Sequence, residues 1–115
     1  MPMIRVQTSV KCSDTKEKIV KGLSGILAQV TGKPERYCFS MIEDDAVIAF
    51  AGNIAKGAFI EVKGIGGLTP DVNKKLSAEI CAFLKAEAGI DPAAIYINFT
   101  DVPGTSWGWN GSTFA

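Results

Sequence analysis

The chain contains no histidine. That absence removes the serine–histidine–aspartate and cysteine–histidine constellations, together with the commonest metal-ligating side chain. Cysteine is sparse. Cys12, Cys38 and Cys81 are odd in number and far apart, which excludes a disulfide framework or a metal-ligand cluster and leaves three reduced thiols. Net charge is lacking too, because 12 Lys and Arg balance 12 Asp and Glu. Such a balance gives no electrostatic footprint for nucleic acid or an acidic membrane surface. No apolar run reaches the roughly 18 residues of a membrane span, and no h-region follows the N-terminus. The expectation is a chain made without a secretory signal, with no nucleic-acid or membrane partner.

What is present fits one globular domain over residues 1–115, since 115 residues are too few for two. Apolar residues make up 47% and the mean hydropathy is +0.19. A domain this short buries only about two-thirds of its unfolded surface. Surplus apolar surface then points to burial against another subunit.

Patterning divides the chain into two similar halves. Met3 to Thr8 alternates as a strand, with Ile4 and Val6 on one face. Asp14 and Glu17 form a capping-box-like helix start. Ile19, Val20, Leu23, Ile26, Leu27 and Val30 then lie along one helical stripe. Gly32 suits a left-handed C-cap, and Pro34 blocks continuation. Tyr37 to Ile42 and Val47 to Phe50 read as further strands. The second half repeats the plan: a strand from Ala58 to Ile65, a Thr69-Pro70 helix start, and a stripe of Val72, Leu76, Ile80, Phe83 and Leu84. Gly89 and Pro92 end that helix, and Ile95 to Thr100 is the last long strand. Two strand–helix–strand units give a four-stranded sheet with both helices on one face. The strand ending at Ile65 is expected to run parallel in plan to the first strand.

Four places could carry chemistry. Pro2 follows the initiator, and removal of Met1 would leave a secondary amine at the chain terminus. Desolvation or a nearby cation lowers the pKa of such an amine, and the neutral form serves as a general base or nucleophile. Lys33 is either a solvated lysine at a helix C-terminus or, at the same end of the sheet as Pro2, a cation that attracts an anionic substrate. Ile65-Gly66-Gly67 is either a plain turn or a place where the Ile65 N–H binds a carboxylate oxygen. The tail holds Trp107, Trp109 and Phe114, which either pack on a core or line a pocket.

Taken together, Met1-Pro2-Met3, Thr31-Gly32-Lys33-Pro34, Lys63-Gly64-Ile65-Gly66-Gly67, Ile95-Tyr96-Ile97-Asn98-Phe99 and Gly108-Trp109-Asn110-Gly111-Ser112-Thr113-Phe114 resemble the macrophage migration inhibitory factor family of the tautomerase superfamily. The resemblance covers the whole chain. It implies an α+β fold, a βαββαβ subunit with a four-stranded mixed sheet and two helices on one face, assembled into a homotrimer. It also implies that Val47–Phe50 and Trp107–Trp109 pair with neighbouring subunits. The implied activity is keto–enol tautomerisation of phenylpyruvate-type substrates (small aromatic α-keto acids) and isomerisation of dopachrome-type compounds, with no cofactor and no metal. By the same resemblance Pro2 is the base, and Lys33 and the Ile65 backbone bind the substrate carboxylate. Tyr96 and Asn98 come from the adjacent subunit, and Met3, Tyr37, Trp109 and Phe114 line an aromatic pocket.

Two departures stand out. Some family members have a Cys-x-x-Cys pair where this chain has Gly57-Ala58-Phe59-Ile60, so thiol oxidoreductase activity is not carried over. Trp107 stands where a small aliphatic residue is common, which bears on pocket size. A second function implied by the resemblance is a cytokine-like ligand of a host or cell-surface receptor, cytoplasmic or secreted without a signal peptide.

Overall fold

Alternation decides which strand faces are buried. Along β1 (Met3–Thr8), Ile4 and Val6 are fully buried while Arg5 and Gln7 face outward. Ile60 and Val62 do the same in β5 (Ala58–Gly64). Helices α1 (Lys16–Thr31) and α2 (Pro70–Ala88) cover that apolar face with Ile19, Leu23, Leu27, Leu76, Ile80 and Leu84, all fully buried. The computed structural model describes residues 1–115. Its other strands are β2 (Phe39–Glu43), β3 (Ala49–Phe50), β4 (Asn53–Ile54), β6 (Ile95–Asp101), β7 (Gly108–Trp109) and β8 (Ser112–Thr113). No helix is long and apolar enough to cross a membrane.

The main sheet has the order β2-β1-β5-β6. β1 and β2 are parallel, as are β5 and β6, but β1 and β5 are antiparallel. The expectation that the strand ending at Ile65 runs parallel to the first is therefore wrong. Alternation carries no information about strand direction, so a repeated strand–helix–strand plan fits either sense. The observed pairing gives a mixed sheet and sets Met3 opposite Lys63. The C-terminal end of β5 thus lies beside the N-terminus of β1.

Local signals held at most helix ends. Gly32 and Gly89 take left-handed C-caps at φ 73° and 66°. Thr69 accepts the Val72 N–H at 3.2 Å, with Pro70 in the first turn. The Asp14–Glu17 capping box does not form. Helix α1 begins at Lys16 with Thr15 as its N-cap, and no side chain caps it. The Thr15 N–H bonds Cys12 O at 3.1 Å, so Asp14 lies inside a tight turn and not at the cap. Asp44 does the anchoring instead. Its carboxylate accepts the Cys12 N–H at 2.8 Å and pairs with Lys16 at 3.1 Å.

Three strand boundaries also shift. Pro34 leads into a 3₁₀ turn over Glu35–Tyr37, so β2 starts at Phe39 and not at Tyr37. The Val47–Phe50 segment shortens to Ala49–Phe50, paired with Asn53–Ile54. Gly108–Trp109 pairs with Ser112–Thr113 across the Asn110-Gly111 turn, whose two residues both have positive φ.

Two glycines of α1 make opposite predictions. A Cβ on Gly22 would collide with the Phe83 ring of α2, whereas a Cβ on Gly25 meets nothing within 4 Å. Gly25→Ala should stabilise by roughly 0.5–1 kcal/mol through helix propensity. Gly22→Ala should destabilise despite the same gain, because the helices must separate or Phe83 must move. Thermal unfolding of both variants checks the difference in sign.

Asp44 generates a second prediction. The Cys12 N–H bond, and next the Lys16 contact, hold its carboxyl below the ordinary value. A depressed pKa contributes stability above the unfolded-state pKa, and that contribution is lost as pH falls through the folded-state pKa. Asp44→Asn should lower Tm at neutral pH, and its deficit should shrink as the solution is acidified below the carboxylate range.

Candidate active site

The N-terminus is built into the sheet. Pro2 is buried, and its carbonyl accepts the Phe39 N–H at 3.1 Å, which ties the residue before β1 to the start of β2. The chain-terminal amine, here on Met1, has a lowered pKa. Burial is the first cause and the positive charge of Lys33 the second, while Cys38 acts in the opposite sense.

Lys33 reaches this place because α1 stops where it does. Gly32 turns the chain in the left-handed conformation, and Thr31 Oγ1 accepts the Lys33 N–H at 3.3 Å. The side chain then crosses to the end of β5. Its Nζ lies 3.9 Å from where a Cβ on Gly67 would stand.

The turn after β5 supplies backbone polarity. Gly66 and Gly67 have φ of 70° and 83°, a conformation that favours glycine. The Gly66 N–H donates to Asp101 Oδ1 at 2.6 Å, and the Val102 N–H donates to Gly64 O at 2.8 Å. The Ile65 N–H has no partner within the chain. Because Met3 pairs with Lys63, Ile65 follows on toward the chain terminus.

Aromatic side chains close the same end. A cleft of about 370 Å³ is lined by Met1, Met3, Phe39, Trp107, Trp109 and Phe114. Trp109 stacks on Phe114 with ring centroids 5.7 Å apart, and Tyr37 meets Trp109 edge-on at 6.3 Å. The Arg36 guanidinium lies 4.8 Å above the Tyr37 ring. The Phe114 N–H holds the tail down by donating to Gly104 O at 3.1 Å and Trp107 O at 3.2 Å.

Pro2, Lys33, Ile65, Met3, Tyr37, Trp107, Trp109 and Phe114 therefore gather at one end of the sheet. Tyr96 and Asn98 do not. Tyr96 pairs with Phe59, which pairs with Gln7, four residues along β1 from Met3 and so about 13 Å away. Tyr96 is 66% exposed and packs on Phe50, while Asn98 accepts a hydrogen bond from Thr100. Both lie on β6, an outer strand of the sheet. Any contact between them and such a site requires a second chain.

Three participants escaped the sequence reading. Phe39 read only as a strand residue, Cys38 only as a reduced thiol, and Asp101 not at all. Phe39 and Asp101 gain their places from long-range pairings that no local pattern announces, and Cys38 is carried in beside Phe39.

Chemically, a depressed amine, a lysine cation, an unpartnered N–H and an apolar slot suit a small aromatic carboxylate with an acidic C–H bond. Replacing Lys33 tests the electrostatics directly. In Lys33→Gln the pKa of the N-terminal amine should rise, because a like charge has been removed. The pH at which the amine becomes reactive toward an acylating reagent, followed by peptide mass, should move up. An unmoved profile would mean that Lys33 does not act on the amine.

The macrophage migration inhibitory factor (MIF) family model matches residues 1–115. The chain is 36% identical over 115 residues to the macrophage migration inhibitory factor of Meriones unguiculatus, covering 100% of each chain. Among solved structures it superposes on the macrophage migration inhibitory factor-like protein of Entamoeba histolytica with a TM-score of 0.93 at 37% identity, covering 98% of both chains. The macrophage migration inhibitory factor homologue of Prochlorococcus marinus gives 0.95 at 36% identity, covering 98% of this chain and 99% of that one.

Proposed function

The chain belongs to the macrophage migration inhibitory factor family, and from that membership we propose that it is a keto–enol tautomerase of phenylpyruvate-type and dopachrome-type substrates. It works as one domain over residues 1–115, with Pro2 as general base once Met1 has been removed. What supports this reading is the place of the chain terminus: Pro2 is buried, and the amine of the neighbouring Met1, at the mouth of an aromatic cleft, has its pKa lowered by burial and by Lys33.

The substrate ring enters the cleft between Met3, Trp109 and Phe114. Its carboxylate meets the Lys33 ammonium and the Ile65 N–H. The neutral Pro2 nitrogen takes a proton from the carbon next to the carbonyl, the electrons move onto oxygen, and the same nitrogen returns the proton to that oxygen. Ketonisation runs this sequence backwards, taking the enol proton and placing it on carbon. The Lys33 charge stabilises the enolate formed between the two transfers. No cofactor or metal takes part. Tyr96 and Asn98 reach this site from the adjacent subunit of a homotrimer, an arrangement supported by their distance from Pro2 along the sheet.

The test is phenylpyruvate ketonisation, with intact mass measured on the same sample. Activity is expected in chains lacking Met1. A retained Met1 converts the Pro2 nitrogen into an amide and should silence the site. Pro2→Gly should lower kcat/KM by about 10²–10⁴-fold with an unchanged circular dichroism spectrum. Full activity in that variant would sink the reading.

The names of the relatives favour a second role, as a cytokine-like ligand of a host or cell-surface receptor. Saturable binding to immune cells that survives Pro2→Gly would separate it from turnover.

A further inference from the structure

The last bonds between β5 and β6 differ in kind. Gly64 is the final ladder partner of Asp101, and its carbonyl accepts the Val102 N–H at 2.8 Å. Past it, the Gly66 N–H turns to the same neighbouring strand, but there a side chain receives it: Asp101 Oδ1, at 2.6 Å. A carboxylate has taken the place of a ladder carbonyl. Hydrogen bonds to an ionised acceptor are roughly twice as strong as neutral ones.

The direction of the Ile65 N–H follows from these two bonds. In a trans peptide the carbonyl and the N–H point opposite ways. The Gly64 carbonyl points at β6, so the Ile65 N–H of the same peptide points away from it, to the side where β1 and the chain terminus lie. The bond from Gly66 to Asp101 fixes the next peptide in the same manner. Between them the two bonds set how Ile65 is presented.

The turn itself has little stiffness. Gly66 and Gly67 have φ of 70° and 83°, and glycine has more conformational freedom to lose than any other residue. Asp101 gives this segment its side-chain anchor. Both bonds lie within one chain. An adjacent subunit that brings Tyr96 and Asn98 adds contacts to the substrate, while the clamp on the turn is complete without it.

We propose that Asp101 is a positioning residue: by accepting the Gly66 N–H it locks the glycine turn, so that the Ile65 N–H stays aimed at the substrate carboxylate. The inference rests on the tautomerase reading and adds to it the group that holds the carboxylate-binding N–H in place. Without that acceptor the 65–66 peptide is free to rotate about its glycine. The N–H must then be ordered by the substrate each time one binds, and that ordering is drawn from binding energy.

The experiment measures kcat and KM for phenylpyruvate ketonisation with chains lacking Met1. Asp101→Ala removes the acceptor and should raise KM by about tenfold or more, with kcat changed by less than about threefold, because the carboxylate is held alike in substrate and transition state. Asp101→Asn keeps an acceptor oxygen at the same reach and should return KM to within about threefold of wild type. Asp101→Val, which suits a strand end and accepts no N–H, replaces the alanine variant if that one fails to fold. An unchanged KM without the acceptor overturns the inference. So does a fall in kcat at constant KM, the mark of a smaller folded fraction, and so does a KM as high in Asp101→Asn as in Asp101→Ala. All three results leave the tautomerase reading standing, since wild type is then active. No turnover by wild type lacking Met1 overturns that reading, and this inference with it.

Discussion

The antiparallel pairing of β1 with β5 is the constraint on which the rest depends. These are the two central strands, and their register puts Met3 opposite Lys63. A start and an end of strand therefore meet at one edge of the molecule. With the opposite sense, the Gly66–Gly67 turn would lie beside Thr8, far from the chain terminus. The crossovers then decide what else arrives. Helix α1 must return to place β2 parallel to β1, and its C-terminal end delivers Lys33. The pairing of β6 with β5 brings Asp101 to the Gly66 N–H and leaves the Ile65 N–H free.

The electrostatics follow from the same arrangement. The amine is depressed first because it is partly withdrawn from water and only second because Lys33 is near. Both effects destabilise the charged form, and neither needs an added acid or base. Around it the pocket is apolar and largely aromatic, built from three chain segments distant in sequence: Met1 and Met3 at the start of β1, Phe39 at the start of β2, and the pinned tail.

Much of this was legible in the sequence, and the misses share a cause. Ile19, Leu23 and Leu27, and again Leu76, Ile80 and Leu84, sit at helical spacing because one face must be buried, so period alone finds them. Gly32, Gly89 and Thr69-Pro70 are local chemistry at helix ends and were equally plain. Strand direction was not, because the pattern of Ile60 and Val62 is the same read from either end. Asp14 and Glu17 made a sound local motif, yet the α1 entry is held by Asp44, 32 residues from Cys12. A nonlocal hydrogen bond displaced the local one. At the site, Pro2 and Lys33 stood out as unusual groups in suggestive places, whereas Tyr96 and Asn98 came only through family resemblance. A single chain cannot explain those two residues, since the sheet carries them away from the amine.

The attachment of Pro2 to the sheet has an entropic consequence. A base carried on a side chain has rotamers, and each must be frozen before reaction. A terminal proline nitrogen has none. Its ring restricts it on one side, and the bond from Phe39 to its carbonyl fixes it on the other. The pairing of β1 with β2 sets its position. On the proposed reading, the disorder that other enzymes remove at the moment of catalysis has here been removed once, when the central strand took its place.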